Sequence, residues 1–442
     1  MPSRRQFLKV GSVAGAGLFL AACGGGQSAQ DAATGQQGGS QSFTATYDGP
    51  AVNLAFWNGF TGGDGPTMRA LVKQFSDEHD NIKATMNVIR WADFYQRLPA
   101  AVNSGKGPDV AIVHVEQLAT QAARRVIDPL DDVAASLQLA EDDFLPSVWN
   151  AGMYQEKRYG IPLDVHSLAM YFNTDQFTEA KVAEPPKDKA SFEQAVGAVK
   201  SSGVEQPFWM PSLWPAHLMF LSLLWQFGGE PYNAEGTAAT YNSDAGVQAL
   251  TWMVDQVKNG NSPRNVAADA QYAAFKGGKV AVTWDGIWQI NDLKTTAEKL
   301  KWGIAPIPQI GTEPAVWANS HQFVLIRQQR PDQNKQQASK VFMDWISKKS
   351  REWAKSGMIP ARNSERESQE FAALKEQATI AQVVDQMRFL PQVPGLGDVQ
   401  AQTLEIAVNE AVLLKKEPKA ALDQWAAAAS KVMEQNKKKF GG

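Results

Sequence analysis

Residues 1–23 constrain this chain most. Arg4, Arg5 and Lys9 make a basic start, residues 10–22 form an apolar run punctuated by glycine, and Ala21 and Ala22 precede Cys23. A basic start, a short apolar core and small residues at a cleavage point are, in that order, the parts of an export signal. The core is too short to cross a bilayer, which takes about 20 apolar residues. The expectation is a signal peptide over 1–22 and a mature chain beginning at Cys23. No other cysteine exists in the sequence. An internal disulfide is therefore excluded, and the thiol is open to acylation.

The next stretch cannot build a core. Gly24-Gly25-Gly26 opens it, and residues 24–42 are rich in Gly, Gln, Ser and Ala. Residues 23–50 are expected to be a flexible linker. Its low-complexity part would span on the order of 25 Å as a random coil. The remaining chain is long enough for more than one domain. Net charge is -3, and it falls to -6 without Arg4, Arg5 and Lys9. No basic run occurs outside Lys437-Lys438-Lys439, so nothing favours nucleic acid. No second segment is apolar enough to cross a membrane, which predicts a body anchored to a membrane rather than embedded in it.

Leu20-Ala21-Ala22-Cys23 resembles the lipobox of bacterial lipoproteins at every position, and Arg4-Arg5 resembles the twin-arginine (Tat) export signal. These resemblances imply lipidation of Cys23 and an extracytoplasmic location on the cell membrane. Sec export is the alternative route.

Ordered structure is predicted from about Val52. Residues 52–57 read as a strand, 58–65 as a Gly-rich loop, and Met68, Leu71, Val72 and Phe75 as a helix face. Pro66 suits the first turn of that helix. A strand over 84–89, a helix over 93–103 kinked at Pro99, and a buried strand over 110–113 follow. Strand and helix alternate, which predicts an α/β fold with a largely parallel sheet. Residues 365–439 read as helices from their periodicity and Ala/Lys/Glu/Gln content.

Gly107-Pro108-Asp109-Val110, Asp128-Pro129-Leu130-Asp131-Asp132, Tyr159-Gly160-Ile161-Pro162 and Met170-Tyr171-Phe172-Asn173 occur in that order. Phe275-Lys276-Gly277-Gly278-Lys279, Gly286-Ile287-Trp288, Ala305-Pro306-Ile307-Pro308 and Gly357-Met358-Ile359-Pro360 complete the series. Together they resemble the family 1 extracellular solute-binding proteins, the sugar-binding components of ABC importers, from about Val52 to the C-terminus. The resemblance implies a two-lobed α/β periplasmic-binding-protein type II fold. Three interlobe crossovers are expected near 161–164, 316–320 and 358–362. The lobes would comprise 51–161 with 320–358, and 162–319 with 359–442. It also implies a carbohydrate ligand, ABC permease transmembrane subunits as partners, and no need for more than a monomer.

Catalytic signals are absent from the sequence. None of the five histidines, His79, His114, His166, His217 and His321, is paired at metal-motif spacing. No metal or other cofactor is expected. There is no Gly-x-Ser-x-Gly elbow and no Walker loop. Carboxylates are plentiful, but nothing places two together as a glycosidase requires, so no enzyme is expected.

Sugars have apolar C–H faces and polar rims, so their sites want flat aromatics beside planar polar groups. Ligands of open α/β sheets sit beyond the carboxyl ends of strands. That rule selects Trp57 with Asp64, Trp91, and His114 beyond the first strands. Asp164 and His166 lie at the first crossover, Trp214 in a turn before a helix, and Asn319, Ser320 and His321 at the second crossover. Trp284, Asp285 and Trp288 are expected just after a strand over 280–283, with Gly286 letting ligand approach the backbone. Arg362 lies at the third crossover, where it would take the phosphate of a glycerophosphodiester or phosphorylated polyol. Such a ligand is the alternative within binding, and a secreted lipoprotein glycosidase the alternative outside it.

Overall fold

The computed structural model describes residues 45–136, 139 and 141–441. The export signal, Cys23 and most of the linker lie outside the described residues. Two sheets organise the body. In Val52–Asn58 the side chains of Val52, Leu54 and Phe56 alternate inward, the period of a half-covered strand. This strand pairs in parallel with Ile82–Val88, in register from Val52↔Ile82, and with Val110–His114. His321–Ile326 then pairs antiparallel with Val110–His114, bringing a late segment into the centre of the first sheet. Ile127–Asp128 and Ile161–Pro162 also pair with it.

The second sheet is built on Asp164–Asn173, in which nine of the ten residues are buried. Val282–Gly286, Trp302–Ala305, Val316–Asn319 and Ile359–Pro360 all pair antiparallel with it. Ile161–Pro162 belongs to the first sheet and Asp164 to the second, so the chain changes sheet at Leu163. It returns at Ser320, between Asn319 in the second sheet and His321 in the first.

The first helix spans Gly65–Glu78 with proline in its first turn and buries Met68, Leu71, Val72 and Phe75. Pro99 sits inside a continuous helix, Trp91–Asn103, that begins two residues before the expected start. The C-terminal third is mostly helical and ends in Pro418–Phe440. Periodicity missed the short strand Met387–Arg388, which pairs with Val316–Trp317. Among the described residues no helix is long and apolar enough to cross a membrane.

Candidate functional site

Sheet register gathers three histidines where the chain changes sheet. His321 lies directly opposite His114 on adjacent strands of the first sheet. His166 lies opposite Asn319, two residues before His321, in the second. The ring centroids of His166 and His321 are 4.3 Å apart, those of His114 and His321 4.8 Å, and those of His114 and His166 5.8 Å. Strands rather than loops therefore set these distances.

Asp164 holds the cluster in place. It is fully buried. Its carboxylate accepts from His166 Nδ1 at 3.2 Å, His321 Nδ1 at 2.8 Å, the His321 backbone N–H at 3.0 Å and Trp353 Nε1 at 2.7 Å. Burial alone would raise its pKa. Charge on His321 and the histidine hydrogen bonds outweigh burial and hold the group well below the usual carboxylate range. His114 Nδ1 meets the Tyr95 hydroxyl at 2.7 Å, and that oxygen also accepts the His114 backbone N–H at 3.0 Å. Burial, and then the neighbouring histidines, push the pKa of His114 well down. Asp64 is buried nearby; desolvation raises its carboxyl to about 6, against the opposing pull of His321.

Aromatic rings from separated segments wall the cluster. Trp91 lies 4.3 Å from His114 and 5.8 Å, nearly parallel, from His321, while Phe60 meets His321 edge-on at 4.9 Å. From the other side Trp288 and Trp317 lie 5.9 and 6.1 Å from His166. Trp214 lies 6.1 Å beyond Trp288 and is 40% exposed. It is one of the few large apolar side chains that face solvent among the described residues. Gly59 permits the Trp91 pose, since a Cβ there would stand 2.2 Å from its indole.

Contacts between segments remote in the chain also form away from the histidines. Asn291 Nδ2 donates to the Gly63 carbonyl at 2.6 Å. Thr120 Oγ1 accepts from the Gly395 N–H at 2.8 Å, and Arg124 pairs with Asp398 at 2.8 Å.

The expected site residues divide into three groups. Asp64, Trp91, His114, Asp164, His166, Trp288 and His321 converge at the seam, with Trp214 at its edge. Asn319 bonds the Glu116 carboxylate and accepts from the Val115 and Ser320 N–H groups, and Ser320 is buried against Gln322. Both shape the second crossover.

The remaining four lie elsewhere. Trp57 packs against the apolar cluster of Phe94, Leu98 and Ala111. Trp284 is fully buried, stacked on Trp252 at 5.4 Å beside Phe192 and Phe208. The strand runs Val282–Gly286, later than expected, so Trp284 and Asp285 lie inside it rather than beyond it. Asp285 is buried and bonds Gln271, Gln289 and the Gly286 N–H. Desolvation raises its carboxyl to about 7. The room at Gly286 serves Trp288, whose ring would stand 2.1 Å from a Cβ there, not a ligand. Arg362 is tied to Asp143 at 3.6 Å and lies over the Phe144 ring at 5.5 Å.

Phe60, Tyr95 and Trp353 join the site without having been singled out, and Trp317, expected at the second crossover with Asn319, joins it too. Trp353 had no signal, because it reads as one more apolar residue of a short helix.

A family model described as bacterial extracellular solute-binding protein matches residues 70–379. A binding protein of Brucella abortus is 24% identical over 379 residues, covering 84% of this chain and 90% of that protein. The sn-glycerol-3-phosphate-binding periplasmic protein of Escherichia coli (strain K12) is 22% identical over 334 residues, 70% of this chain and 74% of that protein. The GacH receptor of Streptomyces glaucescens, solved unliganded and with acarbose, superposes with a TM-score of 0.76 at 21% identity. That match covers 88% of this chain and 99% of the receptor. At such identity the likeness establishes a common fold.

Proposed function

The chain belongs to the bacterial extracellular solute-binding proteins, and from that premise we propose that it binds a carbohydrate between its lobes and delivers it to the permease of an ABC importer. One observation carries this reading. Trp91 from one lobe and Trp288 from the other flank a group of imidazoles at the seam, with Trp214 exposed at its edge. Flat apolar faces beside planar hydrogen-bonding groups complement a sugar's C–H face and hydroxyl rim. The receptor solved with acarbose shares the fold. Opening would separate the rings, admit the solute, and let solute binding shift the population back to closed. The lobes would divide near residues 162, 319 and 359. A lipid on Cys23 would tether a monomeric body to the outer face of the membrane.

A phosphorylated polyol fits less well, although one relative is named for sn-glycerol-3-phosphate. A phosphate calls for a charge-assisted donor. Arg362, the cation expected to supply it, is engaged by Asp143, and Lys276 is engaged by Asp292 at 2.7 Å. Glycosidase chemistry fits poorly as well. Asp164 spends its carboxylate on four donors, leaving it ill-suited to act as nucleophile or acid.

A thermal-shift panel of mono-, di- and oligosaccharides with glycerophosphodiesters tests the proposal. A ligand at a hundredfold its Kd stabilises the native state by about 2.7 kcal/mol. A shift with one saccharide set is the expected result. A shift with phosphodiesters alone, or release of reducing sugar, would overturn it.

A further inference from the structure

We propose that His114, His166 and His321 together bind one divalent d-block cation, of which zinc is the test ion, at the junction of the two lobes. This goes beyond solute binding and stands whichever solute the protein carries. One nitrogen from each ring lies within 4.8 Å of the other two. Among the described residues this is the one such group of three. Zn–N bonds of about 2.0–2.1 Å in tetrahedral geometry would place the nitrogens about 3.4 Å apart. Side-chain rotations that close the gap by about 1.4 Å would therefore complete the coordination.

The surroundings prepare the imidazoles as ligands. Asp164 accepts from the Nδ1 atoms of His166 and His321, which fixes the tautomer and leaves each Nε2 with its lone pair. A carboxylate behind a ligating histidine is the usual support of a metal-bound imidazole. The Tyr95 hydroxyl engages Nδ1 of His114, which leaves Nε2 as the nitrogen a cation would take, displacing any proton there. Phe60, Trp91 and Trp288 exclude water around the group. Imidazole donors suit zinc, copper, nickel or iron, whereas calcium and magnesium require oxygen ligands. Three protein ligands leave one coordination position open. Two donors come from the first sheet and one from the second, so a bound ion would link the lobes.

The test titrates zinc and cobalt(II) into the chelator-stripped full chain without saccharide. Expected are one ion per chain, a thermal shift that chelator reverses, and cobalt d–d absorption of a nitrogen-rich, four-coordinate site. His166→Gln should weaken binding at least 100-fold. Asp164→Asn, which keeps all three ligands, should weaken it about 10- to 100-fold. Cys23→Ser should leave binding unchanged. Absence of a stoichiometric site, an octahedral oxygen-ligated cobalt spectrum, or binding that survives in folded His166→Gln but not in Cys23→Ser would overturn the proposal. Because no saccharide is present, failure here is separate from failure of the solute panel.

Discussion

Two aromatic clusters lie in the second lobe and at its edge, and they do opposite things. Trp252 and Trp284 stack 16° from parallel, closed in by Phe192 and Phe208. Neither indole N–H of that pair has a hydrogen-bond partner among the described residues. At the seam, the rings of Trp91, Trp288 and Trp317 come from three separated segments and surround histidines whose Nδ1 atoms are all engaged. A tryptophan count does not distinguish these clusters. The sealed one is buried on all sides and adds packing. The seam draws on both sheets and adds polar groups held in fixed orientation, which is what the proposed solute site requires.

Substitutions should separate the two clusters. Asp164→Ala leaves two imidazoles, an indole and a backbone N–H without their acceptor, and should cost about 3–5 kcal/mol in denaturant unfolding. Trp284→Ala should cost a similar ~3–5 kcal/mol through the cavity it opens, yet the folded fraction should keep its solute affinity. A large affinity loss in Trp284→Ala would erase the distinction between the clusters.

Asp285, beside the sealed cluster, should produce a pH slope. Its folded pKa of about 7 lies above the unfolded value of about 3.9. The folded protein therefore keeps a proton that the unfolded chain has lost. This stabilisation is complete below about pH 4 and is lost as pH rises through about 7. Asp285→Asn should remove that slope, worth at most on the order of 4 kcal/mol between pH 4 and 8. Urea midpoints across that range would show it. The Asp64 slope, of the same sign and ending near its pKa of about 6, should persist.

The smallest effect belongs to the Arg124–Asp398 pair. Arg124→Ala removes a partly exposed pair with Asp398 and should cost under about 1 kcal/mol, diminishing further with added salt.

Much of this was legible in the sequence, for reasons that also explain the misses. Alternation at Val52, Leu54 and Phe56 marked the first strand, and the family resemblance placed crossovers near Leu163 and Ser320, where the chain changes sheet. Asp164, His166 and His321 were expected at the seam because a crossover lines it. Trp284 was misplaced because Val280-Ala281-Val282-Thr283-Trp284 shows no alternation. In a strand covered on both faces, composition cannot say where the strand begins. Arg362 read either as a ligand-binding cation or as a salt-bridge partner, and its partner Asp143 could not be named because it is remote in the chain. The three histidines are equally remote from one another; local spacing could not show that sheet register would bring them together.

The most direct test of the seam as the solute site is the saccharide affinity of Trp288→Ala, measured by calorimetry beside the wild type. Loss of one stacking face should weaken binding about 10- to 100-fold, equivalent to about 1.4–2.7 kcal/mol. Unchanged affinity in a folded variant would place the solute away from the seam and contradict the proposed mode of binding.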